Sequence, residues 1–135
     1  MKKLIYPACF YPWEDNKGYT VVVPDLKGCV TEGNSLENAI DMAVDAASGW
    51  ILDEVENNEE IPSPSKIQDI ELEYKNGFST YIVLDIDEYE RTHSKKSIKK
   101  TLSIPNWLNT LAERENINFS QALQESLKNK LNLIK

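Results

Sequence analysis

YTVVVPDLKGCVTEGNSLENAIDMAVDAASGWI, residues 19–51, changes periodicity partway along, and that change decides the fold. Tyr19 to Val23 is an aromatic and β-branched run that stops at Pro24 and Asp25, as a strand stops at a turn. GCVTEG, bounded by Gly28 and Gly33, is a second short strand candidate. From Asn34 the apolar spacing becomes helical. Leu36, Ile40, Ala43, Ala47, Trp50, Ile51 and Val55 recur at helical intervals, with Asp41, Asp45 and Asp53 among the polar positions between them. Asn34 or Ser35 can cap this helix, and Glu37 suits its first turn through the helix dipole. Gly49 weakens it unless something packs close there.

Working outward, KLIYPACFY precedes this stretch as another strand, and PWEDNKG supplies the turn chemistry that makes the two a hairpin. After the helix, NNEEIPSPSK is a polar loop whose prolines stop any further turn. FSTYIVLDIDEYE then alternates, with Ile82, Leu84 and Ile86 on one face and Tyr81, Val83, Asp85 and Asp87 on the other. The order β-β-β-α-β predicts an α+β fold, an antiparallel sheet covered by one long helix.

The 135 residues allow one ordinary domain or two small ones, and 41% hydrophobic with 27% charged residues is the mix of a folded globular chain. Charge position separates two parts. Residues 1–94 carry 19 acidic and 7 basic side chains, net −12, whereas residues 95–135 carry 3 and 8, net +5. The boundaries expected are an acidic unit at 1–94, with a linker at about 88–96, and a basic unit at 97–135. No apolar run approaches a membrane span and MKKLIYPACFYPW lacks the pattern of a signal peptide, so the expected location is the cytoplasm. Cys9 and Cys29 then read as reduced, buried thiols. With two cysteines and one histidine a structural zinc site is short of ligands, and no cofactor is expected.

The basic unit opens on SIKKTLSIP. Ile98, Leu102 and Ile104 share one face of an extended segment, and Ser97, Lys99, Thr101 and Ser103 share the other, with Lys100 interrupting the apolar row. Pro105 fits the first turn of a helix carrying Trp107, Leu108, Leu111 and Ala112. Ser120 or Asn118 can cap a second helix whose stripe is Phe119, Ala122, Leu123, Leu127, Leu131 and Ile134. About 40 residues is near the lower limit for an independent core, so Ile98, Leu102, Ile104, Trp107, Leu111, Leu123 and Leu127 are expected to form a dimer core with a second copy. Paired across a two-fold axis, two such strands make a ribbon that fits the DNA major groove, with Lys99, Thr101 and Ser103 toward base edges and the helix start near Ser120 toward a phosphate.

This strand-Pro-helix-helix layout resembles the ribbon-helix-helix family over residues 97 to about 133. The first part resembles the HicB antitoxin family, in which a PDLPGC turn, a T.G.S segment and a helix-starting LE.A recur. Here the turn is Pro24, Asp25, Leu26, Lys27, Gly28 and Cys29, with lysine where a second proline is frequent. The resemblance implies a degenerate ribonuclease H-like domain without catalytic activity. It implies as partner a HicA-type toxin, a small basic mRNA-cleaving protein of double-stranded-RNA-binding-like fold, and it implies repression of the shared operon through operator DNA. It does not say which residues touch the toxin, nor whether dimers pair further. Two other readings stay open at this point. Asp85 and Asp87, two apart in a strand, could hold a metal ion for a nuclease. The acidic unit could instead bind a small ligand in a transcription regulator. His93, in the polar ERTHSKKS, reads as an exposed histidine rather than a general base.

Overall fold

Strand β1 (Leu4–Pro12) is the spine of the first unit. It pairs antiparallel with β2 (Tyr19–Val22) from Cys9 opposite Val22 to Pro12 opposite Tyr19, and with β4 (Phe78–Leu84) from Leu4 opposite Leu84 to Phe10 opposite Phe78. With β3 (Val30–Gly33) beside β2, the sheet order is β3-β2-β1-β4. Pro7 is admitted in this inner strand because β2 begins pairing only at Cys9, so at Pro7 only β4 lies alongside. These elements belong to a computed structural model that describes residues 3–94 and 96–133. The chain divides into two units, Met1–Lys95 and Lys96–Lys135.

Helix α1 (Leu36–Glu56) is capped by Ser35, whose Oγ accepts from the Asn38 N–H at 3.0 Å. It buries Ala39, Ala43, Ala47, Ser48, Ile51 and Leu52, while Leu36, Ile40 and Val55 are exposed. The buried stripe is thus rotated from the one the larger side chains predict. Alanines let the helix axis approach a sheet face already filled by Tyr6, Phe10, Val21 and Leu84, and shape outweighs individual hydrophobicity there. Gly33 shows how close the approach is: a Cβ on it would overlap the backbone of Ala39. At Gly49, a Cβ would meet the Tyr89 hydroxyl at 3.0 Å, so close packing accounts for the glycine within the helix.

The turn from β2 to β3 is closed by three backbone bonds: Val23 N–H to the Cys29 carbonyl, Cys29 N–H to Leu26, and Leu26 N–H to Val23. Gly28 takes φ +80°, Leu26 is buried in the core, and the Lys27 carbonyl accepts from Trp50 Nε1 at 3.0 Å. Asp25 holds the segment that follows α1, accepting from the Ser65 N–H at 2.8 Å and the Ser65 hydroxyl at 2.6 Å. That segment packs Ile61 against the core and, from a 3-10 turn at Ile67–Asp69 onward, reaches residues of the sheet face opposite α1. There the Tyr81 and Tyr11 hydroxyls accept from the N–H groups of Ile67 and Glu73. Cys9 and Cys29 are both free and buried, and burial pushes both thiols up from their ordinary range.

One strand ends earlier than its alternation suggests. β4 stops at Leu84, and Asp85 is the N-cap of α2 (Ile86–His93), accepting from the Glu88 N–H at 3.1 Å. Asp85 and Asp87 therefore do not share a strand face, and the paired-carboxylate metal site loses its geometric basis. Asp85-x-x-Glu88 follows the spacing of a capping box, which outweighs two more residues of alternation. Ile86 stays in the core, now as the first residue of a helix. The expected linker at about 88–96 is thus helical through His93.

In the second unit, residues 96–105 make no strand, and α3 (Asn106–Arg114) and α4 (Phe119–Lys130) follow. Pro105 precedes α3 as its N-cap rather than lying in its first turn. Asn118 caps α4, accepting from the Gln121 N–H at 3.0 Å. Asn116 at φ 54° makes the tight link between the helices. Ile134 lies outside the described residues. No described helix is long and apolar enough to cross a membrane.

Candidate nucleic-acid interface

Lys99, Thr101 and Ser103 are all exposed and alternate with Ile98, Leu102 and Ile104 along the extended segment before α3. The alternation is that of a strand, but a strand needs a neighbour for its N–H and C=O groups, and among the described residues this segment pairs with no strand. Its apolar members are exposed too. Ile98 is 85% accessible and Leu102 57%, and Trp107 on α3 is 64% accessible. Leu111, Leu123 and Leu127 are exposed as well, and no residue of α3 or α4 is buried. Among the described residues of this unit every large apolar side chain is exposed, as expected of a small unit whose core is incomplete in one chain.

Ser120 is not a cap. It sits within the first turn of α4, where its Oγ accepts from Gln124 Nε2 at 3.3 Å. Because the Asn118 side chain takes the Gln121 N–H, the first-turn amides not claimed by the cap are those of Phe119 and Ser120. The cations of the second half are Lys96, Lys99, Lys100, Arg114, Lys128 and Lys130 among the described residues, against Glu113, Glu115 and Glu125.

The acidic unit has a different surface. Helix α2 is fastened to α1 by the Tyr89 ring over Gly49 and by His93, which stacks on Tyr89 at 4.0 Å between ring centres. His93 Nε2 lies 3.8 Å from Asp45 on α1. His93 is thus exposed, as its polar surroundings suggest, but serves as a helix-end contact. Glu88 and Arg91 pair at 2.6 Å on the surface, and that bond holds the Glu88 carboxyl below its usual range. Among the described residues no group of three or more His, Cys, Asp or Glu is placed to hold a metal ion. The strapping of the 57–77 segment by Asp25, Tyr11 and Tyr81 carries no periodic signal and was not foreseeable from the sequence.

Fold and surface together describe a bipartite protein, an acidic α+β unit followed by a basic helical one. The family described as HicB-like antitoxin of bacterial toxin-antitoxin systems matches residues 6–127, and the chain belongs to it. An uncharacterized 14.9 kDa protein of Haemophilus phage HP1 is 34% identical over 85 residues, covering 62% of each chain. Antitoxin HicB 1 of Photorhabdus laumondii is 36% identical over 67 residues, 50% of this chain and 43% of that one. The matches thus span only 62% and 43% of those two relatives' lengths. Among solved structures, a chain of a toxin-antitoxin complex from Streptococcus pneumoniae aligns with TM-score 0.60 and 28% identity, over 96% of this chain and 99% of that one.

Proposed function

We propose that the chain is an antitoxin and autorepressor. The acidic unit, residues 1–94, binds and neutralises a small basic HicA-type toxin that cleaves mRNA. The basic unit, residues 97–135, dimerises as a ribbon-helix-helix and binds operator DNA. The observation that carries the first half is membership of the antitoxin family over residues 6–127. Its physical support is the net −12 of residues 1–94, since a protein that binds RNA is cationic and opposite charge speeds its capture.

For the second half, the support is the segment 98–104, which has strand alternation without a strand partner. A second copy supplies that partner: two segments pair antiparallel across a two-fold axis, and Ile98, Leu102, Ile104, Trp107, Leu111, Leu123 and Leu127 of both copies close into one core. Lys99, Thr101 and Ser103 then stand on the outer face of a ribbon that enters the major groove, while the amides at the start of α4 near Ser120 meet a backbone phosphate. Both activities belong to the cytoplasm, where operator and transcript are found.

Replacing Lys99, Thr101 and Ser103 together with alanine separates the two halves. Removing a side chain that bonds a base edge costs about 1–3 kcal/mol, felt twice in a symmetric dimer, so footprinting of the operator should vanish while toxin neutralisation persists. An unchanged footprint would show that the ribbon is not the reading element.

A further inference from the structure

On the sheet face opposite α1, at the end where β1 turns into β2, lies a hollow of about 670 Å³. Its walls are three aromatic rings, Tyr11, Trp13 and Tyr74. Each is held. Trp13 donates from Nε1 to the Thr20 hydroxyl at 3.1 Å, and its ring lies so close to Gly18 that a Cβ there would come within 2.5 Å of it. Tyr11 accepts from the Glu73 N–H at 3.1 Å, and Tyr74 packs edge to face on Tyr11, 5.3 Å between centres. Val22 and Thr20 of β2 lie beneath them, the one apolar and the other already bonded to the indole.

The charged side chains lining the hollow are Glu14 and Glu73, and both are exposed. Burial pushes the Tyr11 hydroxyl up, so its phenol stays neutral. Aromatic faces carry negative potential, and two carboxylates add to it without a lining cation to offset them. A flat or compact cation on an apolar stem fits this chemistry: the stem against Val22, the charged head over a ring and within reach of a carboxylate.

We propose that this hollow receives an arginine or lysine side chain of the basic toxin, and so is the anchor of toxin recognition on the acidic unit. The assignment rests on the antitoxin reading for the identity of its occupant. Charge complementarity points to that occupant, because the unit around the hollow is net −12 while a protein that grips RNA presents cations. The hollow is larger than one side chain, which leaves room for the backbone on either side of it.

Two measurements test it. In the first, N-acetyl-arginine methylamide and its norleucine counterpart are titrated into the full chain, with the Trp13 indole N–H and the Tyr74 ring followed by NMR. The arginine probe should shift both signals in a saturable way and the norleucine probe should not. Tyr74→Ala combined with Glu14→Gln and Glu73→Gln should abolish the response. All three side chains are exposed, and Glu73→Gln leaves the backbone bond to Tyr11 in place, so the variant should keep its fold. Absence of a shift, or an equal shift from norleucine, overturns the cation site. In the second, the toxin recovered with the wild-type chain from its own cells is tested for dissociation from the same triple variant, where release about tenfold faster or more is expected. If the variant holds the toxin as tightly as wild type, the hollow is not the anchor and the antitoxin reading stands. If the wild type brings down no basic partner, the antitoxin reading fails and this assignment of the occupant fails with it.

Discussion

Gly28 is the residue whose identity the turn between β2 and β3 most strictly demands. At φ +80° it occupies the left-handed region, and nothing lies within 4 Å of where a Cβ would stand. Gly28→Ala therefore isolates the backbone cost, which should be about 1–2 kcal/mol and visible as a lower denaturation midpoint with no change in toxin capture. Its neighbours have separate duties: Leu26 fills the core, Asp25 holds Ser65, and the Lys27 carbonyl accepts from Trp50. The substitution of lysine at a position where proline is frequent keeps the carbonyl that Trp50 uses. The turn was legible from its Pro-Asp and Gly-Cys pairs, but the partners of Asp25 and Lys27, 40 and 23 residues away, were not.

At the scale of elements, α2 begins because of Asp85. Its carboxylate accepts from the Glu88 N–H, so Asp85→Ala should cost about 1 kcal/mol, whereas Asp85→Asn, which also caps, should be nearly neutral. Comparing the thermal midpoints of the two variants checks this, and equal losses would show that charge rather than capping matters there. The strand alternation in FSTYIVLDIDEYE runs on to Ile86, beyond the strand itself, because Ile86 is buried as the first residue of α2. The cap spacing is the signal that distinguishes them. In α1 the element was legible in place and length and its buried face in part: Ala43, Ala47 and Ile51 of the helical stripe are buried, whereas Leu36, Ile40 and Val55 are exposed.

For the whole molecule, stability and DNA binding should respond to solution conditions in different ways. Cys9, Cys29, Tyr6 and Tyr11 all have their proton affinity raised by burial. The unfolded chain then loses these protons at lower pH than the folded one, so unfolding becomes easier as pH rises beyond the ordinary thiol value of 9.0, and the contribution of these four groups is level below it. Denaturant midpoints measured under reducing conditions should be level from neutral pH up to that value and fall beyond it. On the proposed reading, operator affinity should instead fall steeply with salt, because the cations of the basic unit would displace counterions from the DNA backbone. A gel-shift series in rising salt that left affinity constant would argue against the basic unit as the DNA-binding part.

What the sequence by itself determined is what local pattern encodes: four strands and a long capped helix in order, two further helices after Pro105, and a reversal of charge between the halves. These depend on periodicity, capping and composition, each read within a few residues. Only tertiary structure decided how far the buried face of α1 turns toward Ala39, Ser48 and Leu52, how the 57–77 segment is strapped to the sheet, and that Tyr11, Trp13 and Tyr74 wall one hollow. Those features join residues as distant in sequence as Tyr11 and Tyr74, and the free energy that selects them comes from close packing and from satisfying buried polar groups. Neither leaves a repeat in the chain to be read.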